Sequence, residues 1–504
     1  MAVEEGKRVK SARVLEAFAD TILQAEQDLE EDLRKIRDLS NERNLSEKAW
    51  MTMLIDRRIV GSDAGRKILQ AVLDYESSNP EGDSSAYTPT DSFSIWSLEK
   101  ILTDRLGADL AGNLNIGKTL PEPIARLKIR DVCMPVIDAL LELLSTLQSL
   151  ALKYKKTVMP GYTHLAQGQI TTLGHYLLSV HDPLDRALAE LEAAYNNTNL
   201  CTLGCGALSG TSWPIDRELV ADLLGFDAVL ENTNDCVASA DYCISIFGAL
   251  INMVVPISRL TLDLHFWGSE EVAMIDVPES FSDTSSMMPQ KKNFGGQIER
   301  IRMESAAVIG RLQEAVVVTR NEPFADMLAV LQARYPTLEA LCIVRKNLRI
   351  LTGFLNTMIP AETRMEEYSR RGFAAASELA NTLVRKSSVT YRQAHHVAGT
   401  VVRMAAERNI TADQVDAGFL NEAAERVLGK TLALTDAEVH EALDPGHFID
   451  SHRTRGGVAP VELERMVKDR GKKTADARQR QNARKNRLEE AGKKLGERIR
   501  ALVS

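Results

Sequence analysis

IARLKIRDVCMPVIDALLELLSTLQSLALKYKK, residues 124–156, is the stretch on which the fold turns. It contains no glycine. Its apolar residues Val136, Leu140, Leu143, Leu144 and Leu147 recur at the spacing of one wide face of an α-helix. At ~1.5 Å per residue an unbroken helix of this length exceeds roughly 40 Å, with Pro135 a candidate kink.

Three more segments keep the helical period: 169–197 (QITTLGHYLLSVHDPLDRALAELEAAYNN), 235–268 with Pro256 as a candidate kink, and 296–318 (GQIERIRMESAAVIGRLQEAVVV). No convincing alternating strand run accompanies them. Several helices well above the usual ~10–14 residues predict an all-α protein built on an elongated central bundle. Shorter helices are expected at 12–38 and 46–57. SSNPEGDSSAYTPTDS at 77–92 reads as a loop. After about residue 360 the helices shorten again, punctuated by Gly372, Gly399 and the DPGH turn at 444–447. The expected division is an N-terminal helical domain (1–120), the central bundle (121–360), a small helical domain (361–460) and a charged tail (461–504). The tail lacks strong apolar stripes and reads as a solvated helix or a frayed end.

Composition narrows the function classes. The 504 residues are 44% hydrophobic and 26% charged, an ordinary globular balance, and the net charge of −9 argues against a nucleic-acid binder. In the tail, Glu and Asp offset much of the Lys and Arg charge. Cys133, Cys201, Cys205, Cys236, Cys243 and Cys342 form no CxxC pair and no zinc spacing. They read as reduced, buried small hydrophobes in a reducing compartment. MAVEEGKRVKSARVLEAFAD at the start lacks the apolar core of a secretory signal. The best membrane candidate, 242–258, falls short of the ~20 apolar residues a spanning helix needs and is interrupted by Pro256. A core helix, no membrane and a cytoplasmic protein are the expectation.

Two polar segments stand next to the long helices. SDTSSMMPQKKNFGG at 282–296 sets the hydroxyls of Ser285 and Ser286 before Gln290, Lys291, Lys292 and Asn293. Glycines follow, suited to close approach of backbone to a ligand. Such a loop can present a nucleophile or base beside several anion-stabilising donors, although a lone Ser/Lys/Asn-rich loop is more often solvated connection. MPGYTHLAQGQ at 159–169 carries Thr163 and His164. A single histidine on a helix flank is more often structural than catalytic.

Taken together, MPGYTHLAQGQ and SSMMPQKKN resemble motifs of argininosuccinate lyase, within the aspartase/fumarase superfamily. The superfamily loop reads G-S-S-x-M-P-x-K-x-N, and Thr284 stands for its leading glycine here. LGCGALSGTSWPIDRELVADLLGF at 203–226, ELANTLVRKSSVTYRQAHHVAG at 378–399 and RTRGGVAP at 453–460 extend the resemblance over roughly residues 40 to 460. It implies the aspartase/fumarase fold, a homotetramer with active sites shared between subunits, and a carbon–nitrogen lyase needing no metal or organic cofactor. Ser285 matches the catalytic base, Lys291 and Asn293 the donors to the carbanionic intermediate, and Thr163 a carboxylate-binding hydroxyl. His164 matches the histidine linked to protonating the leaving amine. Its carboxylate partner falls on Ile298 in strict register. One inserted residue brings Glu299 into place, and Ile301 and Arg302 then match as well. Ser286, Gln290, Thr119, Arg320 and Asn321 complete the expected substrate contacts.

Departures cluster where substrate identity is set. The family's GRSRNDQ is GKTLPEP at 117–123, so its arginine and asparagine become Leu120 and Pro121 while Thr119 keeps the hydroxyl. The S-x-R-D motif is ASAD at 238–241, with Ala240 for the arginine; the Tyr-Asn, Gln and Lys set becomes Arg320-Asn321, Ala325 and Leu328. Two family histidines are Trp50 and Trp96, either pocket walls or core. The expected reaction is β-elimination of an amine from an N-substituted aspartate to give fumarate or a close analogue. The alternatives are argininosuccinate lyase proper and a non-catalytic structural or partner-binding oligomer of the same fold.

Overall fold

The computed structural model describes residues 18–78, 95–119, 123–283, 287, 296–325 and 328–504. Five helices open the chain: α1 (Asp20–Lys35), α2 (Ser40–Asp56), α3 (Ser62–Ser78), α4 (Ile95–Leu106) and α5 (Ala108–Ala111). The central layer is α6 (Ile124–Lys153), α7 (Leu173–Thr198), α10 (Asp241–Trp267), α11 (Gln297–Thr319) and α12 (Leu328–Thr357), with the short α8 (Arg217–Leu223) and α9 (Thr233–Ala238) ahead of α10. Six helices follow, α13 (Glu362–Arg371), α14 (Ala376–Lys386), α15 (Tyr391–Arg408), α16 (Ala417–Leu428), α17 (Asp436–Leu443) and α18 (Pro445–Ser451), before the terminal α19 (Pro460–Val503).

The apolar stripe of α6 faces inward: Val136, Leu140, Leu143, Leu144 and Leu147 are all fully buried. Both α6 and α10 are long and apolar enough to cross a membrane by length and composition, and both line the main core through residues such as Leu140, Leu147, Leu250 and Met253. Each helix continues through its proline. Side-chain contacts fix the directions. Arg126, in the first turn of α6, donates to the carbonyl of Asn197 near the end of α7 at 2.7 Å. Asn197 in turn donates to Asp241 at the start of α10 at 2.7 Å. Arg302, early in α11, donates to the carbonyl of Thr261 late in α10 at 3.2 Å, and Lys346 of α12 pairs with Glu304 at 2.6 Å. Successive central helices therefore run antiparallel. Separate cores form around Trp50, Leu54, Ile68 and Leu114 on the N-terminal side, and around Leu383, Val397, Val401 and Leu420 on the C-terminal side.

Three expectations are corrected. Strands do occur: β1 (Val158–Thr163) and β2 (Ala166–Thr172) make an antiparallel hairpin. Two smaller pairs join β3 (Leu200–Cys201) to β4 (Ala228–Val229) and β5 (Ile275–Asp276) to β6 (Ile359–Pro360). The helix expected from 169 starts at Leu173, after Thr172 caps it by accepting from the His175 N–H at 3.0 Å. The hairpin escaped notice because its strands do not alternate; Met159 and Pro160 are buried side by side. Its turn also lacks the usual Asn-Gly: His164 (φ 54°) and Leu165 (φ 58°) both take the left-handed conformation. Second, 235–268 is two helices, broken at Ser239, whose backbone is extended.

The third correction is the tail. Helix α19 is 44 residues long and packed along the molecule. Val467, Arg470, Thr474, Ala477, Gln481, Arg484, Leu488, Ala491 and Leu495 follow one another at alternating steps of three and four, a continuous seam. The polar members have partners. Arg470 grips Asp182 with two bonds of 2.5 and 2.6 Å. Thr474 accepts from Gln148 at 2.7 Å, Gln481 donates to the carbonyl of Met134 at 3.1 Å, and Arg484 pairs with Glu192 at 2.8 Å. The seam's polar members concealed it from a reading of apolar stripes. The 77–92 loop falls outside the described residues apart from the last two residues of α3.

Candidate active site

The β1–β2 hairpin stands at the end of the bundle where α7 begins and α10 ends. Its base is held firmly. Tyr162 meets Phe266 edge-on with ring centroids 5.3 Å apart. Tyr176, just beyond β2, donates to Asp263 at 2.5 Å. The Gln167 amide packs onto Gly372, where a Cβ would sit 1.5 Å from its Oε1 and displace it. The tip, by contrast, is open: Thr163, His164, Leu165 and Ala166 are exposed. The histidine expected on a helix flank is thus at the apex of a two-residue turn, a conformation that non-glycine residues adopt infrequently.

Glu299 is in the first turn of α11, at the same end. Among the described residues no hydrogen bond or ion pair joins it to His164. Its carboxylate lies 3.9 Å from His265 Nδ1, a nitrogen that is also 3.2 Å from Arg302. The end of α10, with His265 facing Glu299 and Phe266 facing Tyr162, separates the two. Ser285, Ser286, Gln290, Lys291 and Asn293 lie outside the described residues. The flanks of their segment are described, and they converge: a Cβ on Gly296 would sit 2.7 Å from Asp283 Oδ2. Both flanks, Asp283 and Gly296, therefore lie at the start of α11, on the hairpin end.

The other expected contacts are at the opposite end. Thr119 is half-buried next to Lys118, whose ammonium pairs with Glu47 in an ion pair shielded from solvent on both sides. One turn back on α2, Glu42 meets Lys128 at 3.1 Å, and burial pushes its carboxyl up from the usual carboxylate range. Arg320 and Asn321 are exposed beyond the last turn of α11. Ser239 accepts from the buried Arg126 at 3.1 Å beside Ala240. Trp50 is core: fully buried, it donates its indole N–H to the carbonyl of Ile116 at 3.0 Å and packs its ring under Gly204 (φ 90°). Leu120, Pro121 and the Trp96 side chain lie outside the described residues. Between Glu299 and Arg320 run 21 helical steps, roughly 30 Å, and α10 spans roughly 40 Å. One chain therefore holds two groups of candidate residues at opposite ends of its bundle.

The family model described as lyase matches residues 124–310, and the one described as argininosuccinate lyase C-terminal matches 373–450. The argininosuccinate lyase of Methanococcoides burtonii is 31% identical over 438 residues, covering 86% of this chain and 87% of that protein. That of Thermoanaerobacter sp. is 33% identical over 72% of this chain and 81% of its own length. The chain belongs to the argininosuccinate lyase family. It is a carbon–nitrogen lyase of the aspartase/fumarase superfamily, with that superfamily's all-α fold. Among solved structures, EDDS lyase in complex with formate superposes with a TM-score of 0.90 at 25% identity over 99% of both chains. The class II fumarase of Schistosoma mansoni, at 14% identity and a TM-score of 0.66, shares the fold.

Two buried polar features carry no signal in the sequence. Glu47 and Lys118 are 71 residues apart, and no periodicity links them. The first turns of α2 bury Ser40, Glu42, Arg43, Asn44, Ser46 and Glu47. The helix expected at 46–57 thus begins six residues earlier, at Ser40, with this polar stretch inside it.

Proposed function

We propose that this chain catalyses reversible β-elimination of an amine from an N-substituted aspartate, giving fumarate or a close analogue. Ser285 takes the Cβ proton. The electron pair delocalises into the adjacent carboxylate, giving a dianion held by Lys291 and Asn293, with Ser286 and Gln290 as further donors. Thr163 binds a substrate carboxylate through its hydroxyl. As the Cα–N bond breaks, His164 supplies the proton to the leaving nitrogen, directly or through a water, with Glu299 orienting a histidine of another copy. The chemistry needs no metal or organic cofactor, and the setting is the cytoplasm.

The observation that carries this reading is the exposed hairpin tip, which presents Thr163 and His164 side by side at the end of the bundle where the flanks of the 284–295 segment meet. Thr119, Arg320 and Asn321 join that site only from another copy running the opposite way, which supports a homotetramer with shared sites. Ile244, Val255 and Leu262 on α10 and Met303, Ile309 and Val317 on α11 leave apolar surface exposed for that contact.

The leaving amine differs from arginine in this reading. Leu120 and Ala240 stand where the family grips carboxylates with arginine, and a buried carboxylate that loses its partner forfeits several kcal/mol. Arg320 pairs with a new anionic group on the substrate. The likeness to EDDS lyase supports a different amine; the names of the sequence relatives favour the second reading, argininosuccinate itself. The test is fumarate consumption with a panel of amines and amino acids that includes arginine, comparing wild type with Ser285→Ala. Consumption with one amine class, lost in the variant, establishes the reaction and names the leaving group. Consumption with arginine alone selects the second reading, and none with any amine rejects both.

A further inference from the structure

The six cysteines are all free and buried, yet they are not alike. Burial pushes the Cys133 and Cys342 thiols up to about 12 and that of Cys243 up to about 11. Cys236, on α9, is the opposite case. Cys205, on the loop after β3, hydrogen-bonds its sulfur, and the two share a small apolar cluster with Val237 and Leu230. Arg217 Nη2 lies 3.3 Å from the Cys236 sulfur. That guanidinium has little freedom to leave, because it also donates to the carbonyls of Leu203 at 3.2 Å, Leu230 at 2.9 Å and Glu231 at 3.3 Å. The hydrogen bond from Cys205, then Arg217 of α8 and the more distant Arg126 of α6, outweigh burial and bring Cys236 down to about 7.

Both thiols are buried, and the Arg217 side chain stands between Cys236 and open solvent. Arg217 is also a wall of an open cleft of about 660 Å³, lined by Gly204, Thr211, Trp213 and Thr233. Cys205 sits between Gly204 (φ 90°) and Gly206 (φ 61°), in a turn closed by the Gly210 N–H donating to the Cys205 carbonyl at 2.7 Å.

We propose that Cys205 and Cys236 are a redox-active dithiol, a modification site for small disulfides entering by the Arg217 cleft. The Cys236 thiolate attacks one sulfur of the small disulfide and expels a thiolate. The Cys205 thiol then attacks the mixed disulfide at Cys236, losing its proton, and expels the second thiolate. The protein gives up two electrons and two protons, and the small disulfide becomes two thiols. The closed bond ties the 202–216 loop to α9, three residues from Ser239.

The experiment uses the native full-length protein with oxidised glutathione, followed by digestion without reduction and peptide mass analysis. The expected product is a Cys205–Cys236 cross-linked peptide, replaced in Cys205→Ser by glutathione carried on Cys236. Iodoacetamide labelling of unoxidised protein provides a second reading: Cys236 is expected to label half-maximally near pH 7 and at least ~10-fold faster at that pH than Cys133 or Cys342, in line with thiolate-controlled reactivity. Absence of the cross-link in wild type, or labelling of Cys236 that rises only above about pH 8.5 as for a free thiol, overturns the proposal.

Discussion

The two ends of the bundle differ in what they kept. At the hairpin end, Thr163 and His164 retain the family's residue types and stand exposed on a rigid base, and the start of α11 is close by. At the far end, Leu120 and Ala240 stand where the motif resemblance expects arginines, and two polar pairs are buried, Glu47 with Lys118 and Glu42 with Lys128. In the proposed reaction the chemistry belongs to one end and the choice of amine to the other. On that proposal the substrate can change while the elimination machinery stays, because about 40 Å of helix separates the two in each chain.

The sharpest break of this contrast is kinetic. Ser285→Ala and His164→Asn are each expected to lower kcat by roughly 10²–10⁴-fold with the fold intact, measured by fumarate formation or consumption. At the far end the effect should be on stability instead. Lys118→Ala strands the buried Glu47 carboxylate and is expected to cost about 3–5 kcal/mol in denaturant unfolding, with a variant replacing both by apolar residues close to neutral. Trp50→Ala empties the space under Gly204 and should cost about 3–5 kcal/mol. A smaller shift is expected from Arg320→Ala: KM for the true substrate rising roughly tenfold with kcat nearly unchanged, the mark of a binding contact away from the reacting atoms.

The smallest effect concerns pH and belongs to neither end. Burial works against the charges of Asp182 and Glu192, but Arg470, and Arg480 with Arg484, outweigh it and hold both carboxyls below the usual range. A depressed folded-state pKa contributes stability that is present above the unfolded value of about 4 and is lost as pH falls through the folded value. Stability should decline below about pH 4, and Glu192→Gln should flatten that decline without altering the neutral-pH chemistry of the hairpin end.

The bundle was legible because its signal is periodic: the Val136–Leu147 stripe of α6 leaves little choice but a long buried helix. What escaped was structure whose partners are remote or polar. The hairpin at 158–172 gives no alternation, because its turn uses His164 and Leu165 and its strands pack on Phe266 and Gly372 rather than on one flat face. Helix α19 hid its seam in Arg470, Thr474, Gln481 and Arg484, residues that become core-facing once Asp182, Gln148 and Glu192 are beside them. The motif residues Thr163 and His164 could be named from sequence, but not their separation from Thr119 and Arg320, since distance along a bundle depends on which helices run antiparallel.

The most direct test of the account is whether the two ends meet between chains. One chain carries His164→Asn, a second carries Thr119→Ala with Arg320→Ala, and the two are co-expressed with different tags so that mixed oligomers are isolated. At substrate well below KM the mixed oligomers are expected to form fumarate faster than either variant alone, because some sites then draw an intact hairpin from one chain and an intact far end from the other. Mixed oligomers no faster than the parental variants would contradict a site shared between copies.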